Sequence, residues 1–401
     1  VEHVAVTGMG IISPIGATVP HFWHGLTEGK RAIAPIADAP IELTGNGFWA
    51  AVSGDFLRDT PLDASALRNT DRFTQYAVAA AAQALAHAQL APSDDTAVIV
   101  GNTMGGLPFF AQSQSRFIES GGRSVSPKLM ALVIPNMAPA RIAMHWKLHG
   151  PQLAISTACA SSLDAIGMAA NMIERGEIET AIAGGSETLL SPVVYESLVR
   201  AGALSRNADP QRASRPFDAE RDGFVMGDGG AMLVLESVAR ATRRGATILA
   251  RIRGYGSIAD AHHITSPDPS ARYEIAAMQK ALASARDAAR ECAVVYAHAT
   301  GTIVGDAAEM RAINAVNPNA LVTSIKGHVG HSMAGAGAMS AVAGIAGMHA
   351  QCVPPTMGTQ RLESEARFDV VMDRPRPVAY DAFQVNAFGF GGQNASLVLS
   401  R

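Results

Sequence analysis

The sequence predicts an α/β fold. Short β-type runs alternate with α-type runs from end to end, the pattern of helices layered on a largely parallel sheet. With 401 residues, 48% of them hydrophobic, the chain can bury the core of two or three domain-sized units. Its 38 glycines supply the tight turns that such alternation needs.

In order, the strand-like runs are Val4–Thr7, Ala97–Gly101, Leu153–Thr157, Thr180–Gly184 and Met232–Leu235, then Ile248–Ile252, Val294–His298, Leu321–Ile325, Gln384–Ala387 and Ser396–Leu399. Between them, apolar residues at helical spacing predict helices over Thr74–Gln89, Pro127–Lys147, Ser161–Glu174, Ala271–Arg290, Asp306–Val316 and Ser332–Met348. Two halves of similar alternation meet at the charged helix SVARATRRG near residue 240, so residues 1–240 and 241–401 are expected to form two related halves. No residue-level repeat accompanies them. The polar stretch NADPQRASRPFDAERDGF, Asn207 to Phe224, is a loop longer than a simple connection needs.

Several function classes drop out. A net charge of −3 without a basic run argues against a nucleic-acid groove. Three scattered cysteines, Cys159, Cys292 and Cys352, predict neither a disulfide framework nor a metal site, and fit a reducing, cytoplasmic setting. No apolar run reaches membrane-spanning length, and VEHVAVTGMG reads as a strand and turn, not a signal peptide. GMGIIS lacks the third glycine of a dinucleotide-binding turn.

What remains is chemistry at strand ends, the usual site position in α/β sheets. ISTACASSLDAIGMAA places Cys159 between a β-type run and a helix. There it reads either as a core cysteine or as a nucleophile facing a helix N-terminus, where the dipole favours thiolate. YAHATGTIVGDAAE puts His298 at a strand end, and SIKGHVGHSMAGAGAM offers Lys326, His328 and His331 before a helix of small residues. NAFGFGGQNAS is a glycine-rich turn between the last two strands. One cysteine and two histidines at such junctions point to nucleophilic acyl chemistry.

These stretches resemble the β-ketoacyl-acyl-carrier-protein synthases of the elongating type I/II class, which include type II polyketide ketosynthases. VAVTGMGIISPIG, TACASS, AGGSE, SRPFDAERDGFVMGDGGAMLVLE, AHATGT, SIKGHVGH and NAFGFGGQN occur in the family's order and spacing over almost the whole chain. The resemblance implies a thiolase-like fold with duplicated mixed sheets in α-β-α-β-α layers. It also implies decarboxylative condensation of an acyl group with malonyl-acyl carrier protein, in fatty-acid or polyketide/polyene elongation. Cys159 would take the acyl chain, and His298 and His331 would act on the extender, with Lys326 matching the lysine of the second motif. Phe390 matches the gate whose N–H joins that of Cys159 in an oxyanion hole, and Asp306, Glu309 and Phe224 are supporting residues. Met104 matches the residue at the far end of the acyl pocket, and Leu198 a second wall of it.

Arg68, Arg72, Lys128 and Arg206 would meet an acidic carrier protein. The implied enzyme needs no cofactor, its substrates riding on the carrier's phosphopantetheine, and works as a homodimer or as a heterodimer with a related chain. The alternative is a chain-length-determining partner subunit, which resembles these enzymes but lacks the nucleophile. A thiolase would carry a second cysteine where Phe388 and Phe390 stand, and an initiating synthase would carry Asn in place of His331. The sequence departs from the family pattern at Ala299, Gln393, the Gly327-His328 pair and Ser340, which stands where a glutamate usually partners the motif lysine.

Overall fold

A computed structural model describes residues 4–36, 43–58, 60–62 and 67–401. Eleven strands form its main sheet: β1 (Val4–Ile12), β2 (Ala97–Gly101), β3 (Gln152–Ile155), β4 (Thr180–Glu187), β5 (Gly229–Ser237), β6 (Ala250–Ala259), β7 (Cys292–Tyr296), β8 (Leu321–Thr323), β9 (Asp369–Val370), β10 (Ala382–Gly389) and β11 (Gln393–Ser400). The helices that matter here are α1 (Arg72–His87), α2 (Leu107–Glu119), α3 (Met137–Trp146), α4 (Ser161–Glu174), α5 (Arg272–Ala285), α6 (Ile303–Val316) and α7 (Ala336–Ala350).

The spatial strand order is β9-β8-β7-β10-β11-β6-β1-β5-β4-β2-β3. It contains one arrangement twice. In the first half β1 pairs antiparallel with β5 and β5 with β4, after which β4, β2 and β3 run parallel. In the second half β6 pairs antiparallel with β11 and β11 with β10, after which β10, β7 and β8 run parallel. The halves join where β1 pairs antiparallel with β6.

Side-chain alternation distributes the strands between separate cores. Ile182, Val234, Val98 and Val100 face an outer core with α1 and α3, while Ala183, Leu233 and Ile99 face a central one. In the second half Val295 and Val322 join an outer core with Met310 and Ile313 of α6, while Val294 and Leu321 face the centre. Helices α4 and α7 fill that centre, through Leu163, Ile166, Val342 and Ile345 among others. Each touches strands of both halves. Layers of helix and sheet therefore alternate α-β-α-β-α.

Two expected helices are cut short. The run Pro127–Lys147 breaks at Ile134, which is extended ahead of Pro135, because a residue before proline is pushed out of helical conformation. The helix expected to reach Arg290 ends at Ala285, where Arg286 takes a φ of 53°. The polar loop Asn207–Phe224 is not a solvated strap: Arg215, Phe217, Asp218, Arg221 and Phe224 are buried in it. Among the described residues no helix is long and apolar enough to cross a membrane.

Candidate active site

Cys159 follows β3 within a single tight turn, Ala158–Ala160, that runs into α4. Ala158 adopts a φ of 49°, an uncommon conformation for a residue with a side chain. Ser161 holds it there, its Oγ donating to the Ala158 carbonyl at 2.6 Å and accepting the Thr157 N–H at 2.9 Å. His331 occupies the corresponding junction of the second half, between β8 and α7. Its backbone is stitched to the 225–227 segment, its N–H donating to the Val225 carbonyl at 2.8 Å. His298 lies two residues beyond β7.

The three side chains converge. His331 Nε2 is 3.1 Å from Cys159 Sγ, the two imidazoles stand edge to face with centroids 5.2 Å apart, and ligand atoms of all three lie within 4.8 Å of one another. Phe224 packs edge-on against His331 at 5.4 Å, and Phe388 flanks His298 at 6.1 Å. All line a cavity of about 310 Å³ that also meets Phe390, Thr300, Thr302 and Met333.

Cys159 is only 4% exposed and packs with Trp49, Leu204, Phe224 and Met333, so the core reading and the site reading describe the same residue. Burial corrects the expectation of a resting thiolate. It pushes the thiol up to about 11, against the opposing pull of Lys326 and of the backbone N–H groups of Phe390 and Cys159. Those two N–H groups both approach the sulfur. Burial, together with the charge of Lys326, holds both imidazoles well below their ordinary value, so they are neutral at pH 7.

Carboxylates of α6 fix the loop that carries His298. Glu309 accepts the N–H of His298 at 2.8 Å, that of Ala299 at 2.6 Å and the Asn386 amide at 3.1 Å. Asp306 accepts from Gly301 at 3.0 Å and from Phe217 at 2.8 Å. Lys326 is buried and makes no ion pair among the described residues; burial brings its ammonium down to about 8, partly offset by the charge of Glu309. His328 sits apart, its two nitrogens each 2.8 Å from a backbone carbonyl, of Lys30 and Pro355.

Cysteine and two imidazoles are also a donor set that a soft metal ion accepts. Both Nδ1 atoms are buried without partners, whereas a built metal site holds its histidines through the second nitrogen. Lys326 adds positive charge beside the trio.

The outlying expectations fare differently. Met104 is 50% exposed and does not line the cavity. The loop after β2 turns it outward at Gly105, whose φ is 60° and where a Cβ would lie 2.1 Å from the Val133 carbonyl oxygen. Leu198 packs against the cluster that holds Cys159. Arg72 is no free cation, since its guanidinium stacks on Phe56 at 5.0 Å and donates to the Tyr76 hydroxyl at 3.0 Å. Lys128 donates to Asn69 at 2.9 Å, beside exposed Arg68. Arg206 is exposed, and its backbone N–H donates at 2.9 Å to Asp222, a cavity-lining residue. Met333, with its Sδ 4.0 Å from the thiol, and Asn386 both lie inside motifs the sequence displays, yet no residue pattern marks their contacts.

Family models match in two consecutive parts, "Beta-ketoacyl synthase, N-terminal domain" over residues 1–241 and "Beta-ketoacyl synthase, C-terminal domain" over residues 249–360. The chain is 37% identical over 410 residues to a 3-oxoacyl-[acyl-carrier-protein] synthase 2 of Vibrio harveyi, covering 100% of this chain and 99% of the relative. Identity to the protein of the same name from Coxiella burnetii is 36% over 414 residues, covering 100% and 99%. Among solved structures, a β-ketoacyl synthase from Burkholderia phymatum superposes with a TM-score of 0.92 at 32% identity, over 100% of both chains. The ishigamide ketosynthase/chain length factor superposes with a TM-score of 0.90 at 30% identity, over 100% of this chain and 99% of that one.

Proposed function

The chain belongs to the β-ketoacyl synthase family and is an acyltransferase of the ketosynthase kind, and from that premise we propose that Cys159, His298 and His331 carry out a decarboxylative condensation. Cys159 attacks the thioester of an acyl-acyl carrier protein, His331 Nε2 relays the thiol proton to the departing sulfur, and the carrier leaves with its phosphopantetheine thiol protonated and His331 neutral again. The N–H groups of Cys159 and Phe390 hold the tetrahedral oxyanion. Malonyl-acyl carrier protein then loses CO2, and the charge that develops on its thioester oxygen is met by an N–H from each neutral imidazole. The enolate carbon bonds to the acyl carbon, the C–S bond to Cys159 breaks, the released thiolate takes up one proton from solvent, and a 3-oxoacyl-acyl carrier protein departs. Lys326 supplies positive charge beside the trio, Glu309 and Asp306 position the His298 loop, and Phe224 braces His331.

The observation that carries this reading is the 3.1 Å approach of His331 Nε2 to a thiol flanked by two backbone N–H groups. It favours a working enzyme over a chain-length-determining partner, which would lack the nucleophile. Acyl carrier protein is the proposed partner, with Arg206 beside the cavity mouth as its first contact and Arg68 and Lys128 as outlying ones. Exposed Phe110, Phe117, Ile118, Met130 and Met144, with β3 at the sheet edge, support a dimer with a copy or a related chain. That partner would cover Met104 and complete the acyl pocket. The same residues serve fatty-acid and polyketide elongation; relatives named 3-oxoacyl-[acyl-carrier-protein] synthase 2 support the former.

Intact-protein mass spectrometry tests the assignment. Cys159→Ser is expected to abolish acylation and condensation, and Cys159→Gln, with an amide at the oxyanion hole, to keep malonyl decarboxylation while condensation is lost. An acylated, active protein lacking Cys159 would remove the proposal.

A further inference from the structure

Among the described residues of the cavity wall, one carboxyl group has no partner in the protein. Glu274 lies in the first turn of α5 with no exposed surface, and neither of its oxygens is hydrogen-bonded to another residue. A buried carboxyl left without a donor is costly in either protonation state. Its surroundings aggravate this: burial, with the charges of Asp260, Asp268 and Glu309, pushes it up to about 7 against the pull of its own backbone N–H. Asp260, on the same wall, is satisfied by the N–H groups of His262 at 2.9 Å and Asp268 at 3.3 Å. Glu309 has its own three donors. Glu274 alone is unmatched, on a wall that also carries Thr265, Ser266, Thr300 and Asn394. The negative surroundings favour a hydrogen-bond donor or a cation and disfavour another acceptor.

We propose that Glu274 marks a polar subsite of the reaction cavity that accepts a hydroxyl or ammonium group carried by a substrate thioester. The inference rests on the ketosynthase reading above. The donor group can ride on the acyl chain held at Cys159 or on the α-carbon of the extender, and both present the same chemistry to the carboxyl.

Two arms of one experiment separate these sources. The first compares acylation by the N-acetylcysteamine thioesters of 3-hydroxybutyrate and butyrate; the second compares condensation with hydroxymalonyl- and malonyl-acyl carrier protein. The quantity read is the ratio of kcat/KM for the donor-bearing substrate to that for the plain one. In Glu274→Leu that ratio is expected to fall roughly ten-fold in one arm, the effect of deleting a buried hydrogen-bond partner, while Glu274→Gln, which keeps an acceptor oxygen, retains most of it. Ratios unchanged in both arms overturn the subsite. Glu274→Leu is also expected to melt at or above the parent temperature, because it removes an unpaired buried carboxyl. A drop of several degrees would reveal a structural partner for the carboxyl and overturn it as well. Failure of the ketosynthase reading looks different: the parent protein would turn over neither plain substrate.

Discussion

Lys326 is an ammonium among neutral rings, and its charge is within reach of titration just above neutral pH. Burial lowers it to about 8 and the carboxylate of Glu309 pulls it back up. If its charge assists the extender step, condensation falls as pH rises through about 8. Glu309→Gln removes the supporting charge, so the descending limb of the pH profile should move to lower pH; a limb that stays put would divorce the two residues. Glu187 gives a stability prediction of definite sign. Burial raises it from an ordinary 4.5 to about 8, despite donors from Thr103 and Asn102. The folded state thus holds a proton that the unfolded chain has released, and this contribution is complete below pH 4.5 and gone above about 8. Urea midpoints should decline across that window, and Glu187→Gln should flatten the decline. Cys159, His298 and His331, the proposed catalytic trio, are legible as candidates because site residues of α/β proteins gather at strand ends. The duty of Glu309 was not, because a carboxylate that clamps backbone N–H groups leaves no signature in residue type.

At the scale of elements, every strand expected from the sequence exists; most, such as β1, β2, β4 and β5, are buried on both faces and read as apolar runs, while the edge strand β3 is partly exposed. Their ends were less legible: β1 continues to Ile12 and β6 to Ala259 through glycines that carry no propensity signal. Helix α2 went unread since its apolar residues face outward, with none of them buried. The turn between β10 and β11 is sensitive to a single substitution. Gly392 has a φ of 70°, and a Cβ there would fall 1.9 Å from Asp260 Oδ1. Gly392→Ala must shift the turn that aims the Phe390 N–H, and loss of one oxyanion donor costs roughly 10²-fold in rate. Acylation of Cys159 should fall by about that factor, and adding Asp260→Ala, which deletes the clashing atom, should restore part of it. No recovery in the double variant would place the defect elsewhere.

For the whole molecule, the repeated strand order puts Cys159 and His331 at equivalent junctions, so the proposed active pair joins matching corners of two halves. Divergence has erased this from the residues, since two junctions with different chemical tasks keep only their backbone path. Because α4 and α7 each pack on both halves, neither half can close a core alone. Calorimetry should therefore record one cooperative transition, and residues 1–241 expressed alone should remain unfolded; two separable transitions would contradict the shared core. The depth of Cys159 also bears on how the protein ages in air. Peroxide and haloacetamides consume thiolate, and a sulfur that is 4% exposed and keeps its proton to about pH 11 offers them little. Cys352, only half-buried, should be oxidised ahead of Cys159 and Cys292 in peptide maps of peroxide-treated protein, so oxidative wear begins at the rim of the molecule and reaches its buried sulfurs later.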